Sequence, residues 1–271
     1  MLSGALGAEV SGINLKDSSF ENWNKINDLL LEHKALFFRD QNITSEEQIN
    51  LAKRFGPLER HIYVKGRENY PEILRIIKEP DEKRQWGETW HTDVSYNPKP
   101  TKVIILRSLK IPPVGGDTMF SNMEIAYETL DEKIKNKIRD KKAVHSSLGA
   151  AAFTEAYKAM EGNGNLDEYS NAHPMVRTHP ETGKKILYVN SMYTKKILDT
   201  DAQESEDILN QIFAHQERLD FTCRFKWTEN AVAIWDNRST LHQGLTDFFP
   251  GRGLGHERVM DRIAIEGDHP L

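Results

Sequence analysis

The feature that most limits how this chain can fold is a succession of short apolar runs, rich in β-branched and aromatic residues and bounded by Gly, Pro and Asn. Ala35–Phe38, Ile73–Lys78, Lys102–Leu109, Gly116–Phe120, Ala143–Ser147, Ile186–Asn190, Phe221–Trp227, Ala231–Trp235 and Arg258–Glu266 all read as strands. An alternating pattern over Glu9–Leu15 adds one at the start. Helical periodicity is confined to Phe20–His33, a stretch ending at Gly56, and the regions Met123–Lys141 and Ala202–Leu219. The second of these opens on a capping box, with Thr44 as N-cap and Glu47 at N3. Many short strands and few helices predict a mainly β chain, a sandwich or jelly roll with helices packed outside. No repeat, low-complexity tract or linker interrupts it, so 1–271 reads as a single domain.

Composition narrows the function. With Lys+Arg 36 against Asp+Glu 41, the net charge is −5. No basic block occurs, which excludes a phosphate-backbone binder and leaves no nucleic-acid partner. No stretch approaches the roughly 18 apolar residues of a membrane span, and the first residues lack the basic segment of a secretory signal. These features predict a soluble, cytoplasmic protein with no membrane partner. Cys223 is the single cysteine, so an intrachain disulfide and any cysteine-based zinc cluster are excluded. A metal site would have to use His, Asp or Glu.

Most of the ten histidines have ordinary readings. His33 and His215 lie on helical stretches, His145 lies on a strand, and His173, His179, His256 and His269 sit beside Pro or Gly in loop-like surroundings. The segment Trp90-His91-Thr92-Asp93 is different. In extended backbone, residues two apart share a face, so His91 and Asp93 can converge on one ion while Thr92 points away. Non-haem Fe(II) oxygenases add a second histidine to such a pair and keep the opposite face of the octahedron open. His242, far downstream, is the candidate; by spacing alone it could equally cap the loop after the Ala231–Trp235 run.

The last strand carries the second signal. Arg258 and Arg262 are four apart, an even number, so both leave one face, opposite Val259, Ile263 and Ile265. Asp261 interrupts that apolar set. Two arginines on one face need anions between them, either internal carboxylates or a ligand carboxylate matched by the guanidinium fork.

With these residues in view, the sequence resembles the taurine dioxygenase family, which includes the aryloxyalkanoate dioxygenases. The resemblance runs from Gly4–Val10 and Leu36–Gln41 through Phe55–Leu58, Trp90–Asp93, Gly115–Thr118, His179–Gly183 and Leu187–Asn190. It closes with Ile234–Arg238, His242 and Arg258–Met260. It implies a double-stranded β-helix, the jelly-roll variant, consistent with the strand pattern. It also implies Fe(II) held by His91, Asp93 and His242, with 2-oxoglutarate as cosubstrate and O2 as oxidant. Thr118 and Arg258 match the residues that hold the distal carboxylate of 2-oxoglutarate. Arg262 and His61 match substrate-contacting positions, and Trp235 falls beside the iron site or in the plain core.

The implied activity is hydroxylation of an unactivated C–H of a small anionic organic substrate, with succinate and CO2 as co-products. The implied assembly is a homodimer or homotetramer. Gly87-Glu88-Thr89, the spacing of Tyr63 from His61 and the segment Gly251–Gly255 depart from taurine dioxygenase, whereas Asp220–Arg224 is closer to the aryloxypropionate branch. The substrate class is accordingly sulfonate, sulfate ester or aryloxyalkanoate. Asp93 argues against a halogenase. A non-catalytic anion-binding jelly roll and a Zn(II) hydrolase are the alternatives that the same residues permit.

Overall fold

The computed structural model describes residues 1–17, 19–83, 87–148, 168–248 and 250–271. The chain opens with β1 (Ala8–Glu9), α1 (Phe20–His33), β2 (Ala35–Phe38), α2 (Ser45–Lys53) and β3 (Leu58–Glu59). Next come β4 (Leu74–Lys78), β5 (Val103–Lys110), β6 (Thr118–Asn122), α3 (Met123–Glu128) and α4 (Glu132–Ile138). Then follow β7 (Lys142–Ser146), β8 (Ser170–Pro174), β9 (Val176–Thr178), β10 (Lys185–Leu187), β11 (Thr194–Ile197) and α5 (Ala202–Gln216). The last strands are β12 (Thr222–Phe225), β13 (Val232–Asp236), β14 (Thr240–Gly244) and β15 (Arg258–Ile265).

A large sheet runs β1-β2-β13-β5-β15-β3, with β4 also paired to β15; a smaller sheet runs β12-β6-β14. The large sheet is buried on both faces, and side-chain alternation sorts its residues. Leu36, Phe38, Val103, Ile105, Val232, Ile234, Ile263 and Ile265 join one cluster with Ile26, Leu30, Leu51 and Ala52 of α1 and α2. Phe37, Ile104, Leu106, Ala233, Trp235, Met260 and Ala264 face the other way, against Phe120, Cys223 and Phe225 of the small sheet. Two sheets closed over an apolar interior, with helices outside, form the expected jelly roll.

Where observed elements depart from the sequence pattern, tertiary context explains it. The alternating Glu9–Leu15 run yields only β1, which ends after pairing in parallel with Leu36 and Phe37. The single helix expected over Met123–Lys141 is two, because the Asp131 side chain accepts from Lys133 N and starts a new helix. Strands β8, β11 and β14 are too short and polar for periodicity to reveal. Among the described residues, no helix is long and apolar enough to cross a membrane.

Candidate metal centre and cosubstrate pocket

The interior face of the jelly roll carries the site. His242 on β14 lies opposite Phe120 on β6, so its side chain shares the inner face with Phe120 and Thr118. His91 extends this sheet by one residue, with His91 N donating to His242 O at 3.1 Å and His242 N to His91 O at 2.9 Å. The loop-capping reading of His242 is therefore wrong; it is a strand residue, and the exchanged bonds place the two rings 4.1 Å apart. His91 Nε2 is 3.3 Å and His242 Nε2 3.7 Å from the Asp93 carboxylate. One ligand atom from each of the three residues lies within 4.8 Å of the others.

The tautomers suit a cation. Nδ1–H of His91 donates to the Thr89 carbonyl at 2.7 Å, so its Nε2 presents a lone pair. Burial and the neighbouring His91 push His242 down to about 3, so its ring is neutral at pH 7. Burial opposes ionisation of Asp93, but Arg262 and the two histidines outweigh it and hold the carboxyl well below the usual range. Two imidazoles and one carboxylate, converging from one side, are the donor set of a facial triad. Gly87 makes room: at φ 76°, a Cβ there would stand 3.1 Å from His91 Cε1. The Gly87–Thr89 segment that departs from the taurine dioxygenase pattern thus orients His91. Trp235 packs beside the triad, its ring centroid 4.8 Å from that of His242.

The triad opens on a cavity of about 670 Å³, counting its mouth, which His61, Thr118, Arg258 and Arg262 also line. Arg258 and Arg262 do leave the inner face of β15. Arg258 is 7 % exposed, and among the described residues its Nε has no hydrogen-bond partner. Its burial lowers the guanidinium to about 10, the mark of a cation awaiting an anion. Gly116 lies beside its stem at φ 73°, where a Cβ would crowd Pro112 at 3.0 Å and Phe248 at 3.3 Å. Thr118 lies at the same end and accepts a hydrogen bond from Trp227 Nε1 at 3.0 Å.

Arg262 is differently placed. Its Nε and Nη2 donate to Asp93 Oδ2 at 3.3 and 3.1 Å, so it braces the carboxylate of the triad. His61 accepts from the backbone N–H groups of Tyr63 and Val64 at Nδ1, 3.2 and 3.1 Å away. Burial pushes it down to about 3, which leaves a neutral ring with its hydrogen on Nε2. The structure thus brings all seven sequence candidates to one cavity.

Other functional neighbours escaped sequence reasoning. Glu59, opposite Ala264 on β15, accepts from Thr101 Oγ1 at 2.5 Å, and burial pushes its carboxyl up to about 7. His179, which reads as a loop residue, is buried and bonds Asp236 at 2.8 Å, while Arg238 grips the same carboxylate. His173, likewise read as a loop residue, is buried in β8. The resemblance, which takes in both His179–Gly183 and Ile234–Arg238, marked that corner without assigning those residues a role.

The site and fold define a metal-dependent jelly-roll oxygenase of the 2-oxoglutarate type. The profile of the taurine catabolism dioxygenase TauD, TfdA family matches residues 1–263, and the chain belongs to that family. It is 36% identical to an alkylsulfatase of Acinetobacter baylyi, over 98% of this chain and 84% of that one. It is 32% identical to the (S)-phenoxypropionate/alpha-ketoglutarate-dioxygenase of Sphingobium herbicidovorans, covering 98% and 95% of the two chains. A solved taurine dioxygenase from Burkholderia xenovorans superposes with a TM-score of 0.83 at 33% identity, over 100% of this chain and 90% of that one. The structure of AAD-2 in complex with Mn(II) and N-oxalylglycine gives 0.78 at 25% identity, covering 99% and 96%.

Proposed function

We propose that the chain, folded as one domain over residues 1–271, is an Fe(II)- and 2-oxoglutarate-dependent dioxygenase. Its reaction hydroxylates an unactivated C–H of a small anionic substrate of the sulfonate, sulfate ester or aryloxyalkanoate type. O2 supplies one oxygen atom to the product and one to succinate, with release of CO2. The observation that carries this reading is the convergence of His91, Asp93 and His242 on one cavity that the buried Arg258 also lines, its Nε without a hydrogen-bond partner among the described residues.

In this reading His91, Asp93 and His242 hold the metal, and bound Fe(II) supplies the activation of O2 coupled to oxidative decarboxylation of 2-oxoglutarate. Arg258 and the Thr118 hydroxyl hold the distal carboxylate of the cosubstrate, neutralising a charge that would be costly to bury alone. That contact fixes the 2-oxo acid end against the metal. Arg262 keeps Asp93 ionised and offers its further N–H groups to an anionic head group, beside the neutral Nε2–H of His61. Ile76, Val94, Leu106 and Trp235 exclude water from the reacting carbon. If that carbon bears oxygen or sulfur, the hydroxylated product collapses and releases sulfate, sulfite or a phenol, an outcome that the name of the Acinetobacter relative fits. The assembly we propose is a homodimer or homotetramer, in the cytoplasm.

Adding Fe(II) and 2-oxoglutarate without oxygen is expected to produce a weak visible charge-transfer band. With air, sulfonates, sulfate esters and aryloxyalkanoates are then screened for succinate release. His91→Ala should abolish metal binding, and Arg258→Ala should spare metal binding while weakening 2-oxoglutarate. No band and no substrate-dependent succinate would falsify the proposal.

A further inference from the structure

We infer that Trp227 positions Thr118 and Arg258 for the distal carboxylate of the cosubstrate. This rests on the reading of Thr118 and Arg258 given above. Trp227 lies just beyond β12 and is 4 % exposed. Its Nε1–H donates to Thr118 Oγ1 at 3.0 Å. An indole N–H can only donate, so the bond commits a lone pair of that oxygen and directs the Thr118 O–H toward another acceptor. An anion in the cavity provides one. The same ring lies 6.0 Å from the guanidinium carbon of Arg258, at the edge of cation–π range. One side chain therefore supports both groups that would grip the carboxylate.

The test is calorimetric titration of the Mn(II)-loaded full chain with 2-oxoglutarate. Trp227→Phe, which keeps most of the ring but not the N–H, is expected to weaken 2-oxoglutarate about fivefold, near the size of one lost hydrogen bond. Thr118→Val should weaken it similarly, and the double variant should be no weaker than Thr118→Val alone. Both single variants should leave Mn(II) affinity unchanged. Trp227→Leu gives the same comparison if the phenylalanine variant does not fold, as judged by its melting curve.

Weakening by Thr118→Val but not by Trp227→Phe, or additive losses in the double variant, overturns the positioning role and leaves the cosubstrate reading intact. Unchanged 2-oxoglutarate affinity in both Thr118→Val and Arg258→Ala instead overturns the cosubstrate reading.

Discussion

Asp93 is held by its peptide as well as by its carboxylate. Asn237 Oδ1 accepts from Asp93 N at 3.0 Å, and Asn237 Nδ2 donates to the carbonyls of Asp93 at 3.3 Å and Thr101 at 2.8 Å. The next residue, Val94, sits at φ 45°, a region that a β-branched side chain avoids. Such a conformation costs on the order of 1–3 kcal/mol and persists only where neighbours over-determine it. The Asn237 amide, fully buried, is that neighbour. Asn237→Ala is therefore expected to lower Mn(II) or Fe(II) affinity by about 10- to 100-fold, the range seen when groups that orient metal ligands are lost. Calorimetric metal titration checks this, and unchanged affinity in a folded variant would reject it. His91 and Asp93 were legible as a pair because the two-residue period of extended backbone fixes how they point, whereas His242 joined them only through the family resemblance. The roles of Asn237 and Trp227 were not legible: each acts through side-chain contacts with residues more than a hundred positions away, which local periodicity does not encode.

At the level of a single element, β15 shows what strand parity can and cannot say. Alternation placed Arg258 and Arg262 on one face, and the structure has both facing the cavity with Met260 and Ala264. The same alternation left Asp261 as an intruder among Val259, Ile263 and Ile265. Its reason lies on other elements. Arg75 of β4 holds Asp261 at 2.8 and 2.9 Å, Arg107 of β5 at 3.2 Å and Arg67 at 3.3 Å. The carboxylate is 0 % exposed, and Gln48 of α2 donates to its backbone carbonyl at 3.0 Å. Removing one member of a buried charge cluster strands the others, typically at about 3–5 kcal/mol. Asp261→Asn should cost that much in urea unfolding, since three arginines would then share a neutral amide. A loss below about 1 kcal/mol would show that solvent already screens the cluster. The same contrast explains β14: its sequence, Thr-Leu-His-Gln-Gly, has too few apolar residues to signal a strand. Pairing with β6 and with His91 makes it one.

For the molecule as a whole, the pH dependence of stability follows from titratable groups buried where β7 pairs with β8 and β11 in a separate sheet. His145 on β7 and His173 on β8 are both buried, their rings 5.4 Å apart. Burial pushes His145 down to about 3, with the nearby His173 adding to the effect, and burial pushes His173 down to about 4. In the unfolded chain both titrate near 6.5. Between pH 6.5 and 4 the unfolded state therefore binds protons that the folded state refuses, and stability falls as the pH falls. Each such group contributes about 1.4 kcal/mol per pH unit across that window. Glu59 acts in the opposite sense: with its folded value near 7, the folded state holds a proton that the unfolded chain releases above about pH 4.3. It offsets about one histidine between pH 4.3 and 6.5. The diagnostic is thus the change in slope between variants. His145→Gln should reduce the pH dependence of unfolding free energy by about 1.4 kcal/mol per unit between pH 4 and 6, whatever it does to stability at pH 7. Urea unfolding of both proteins at several pH values measures it. Equal slopes would mean that His145 titrates normally in the folded chain, against its position under the β7–β8 pair.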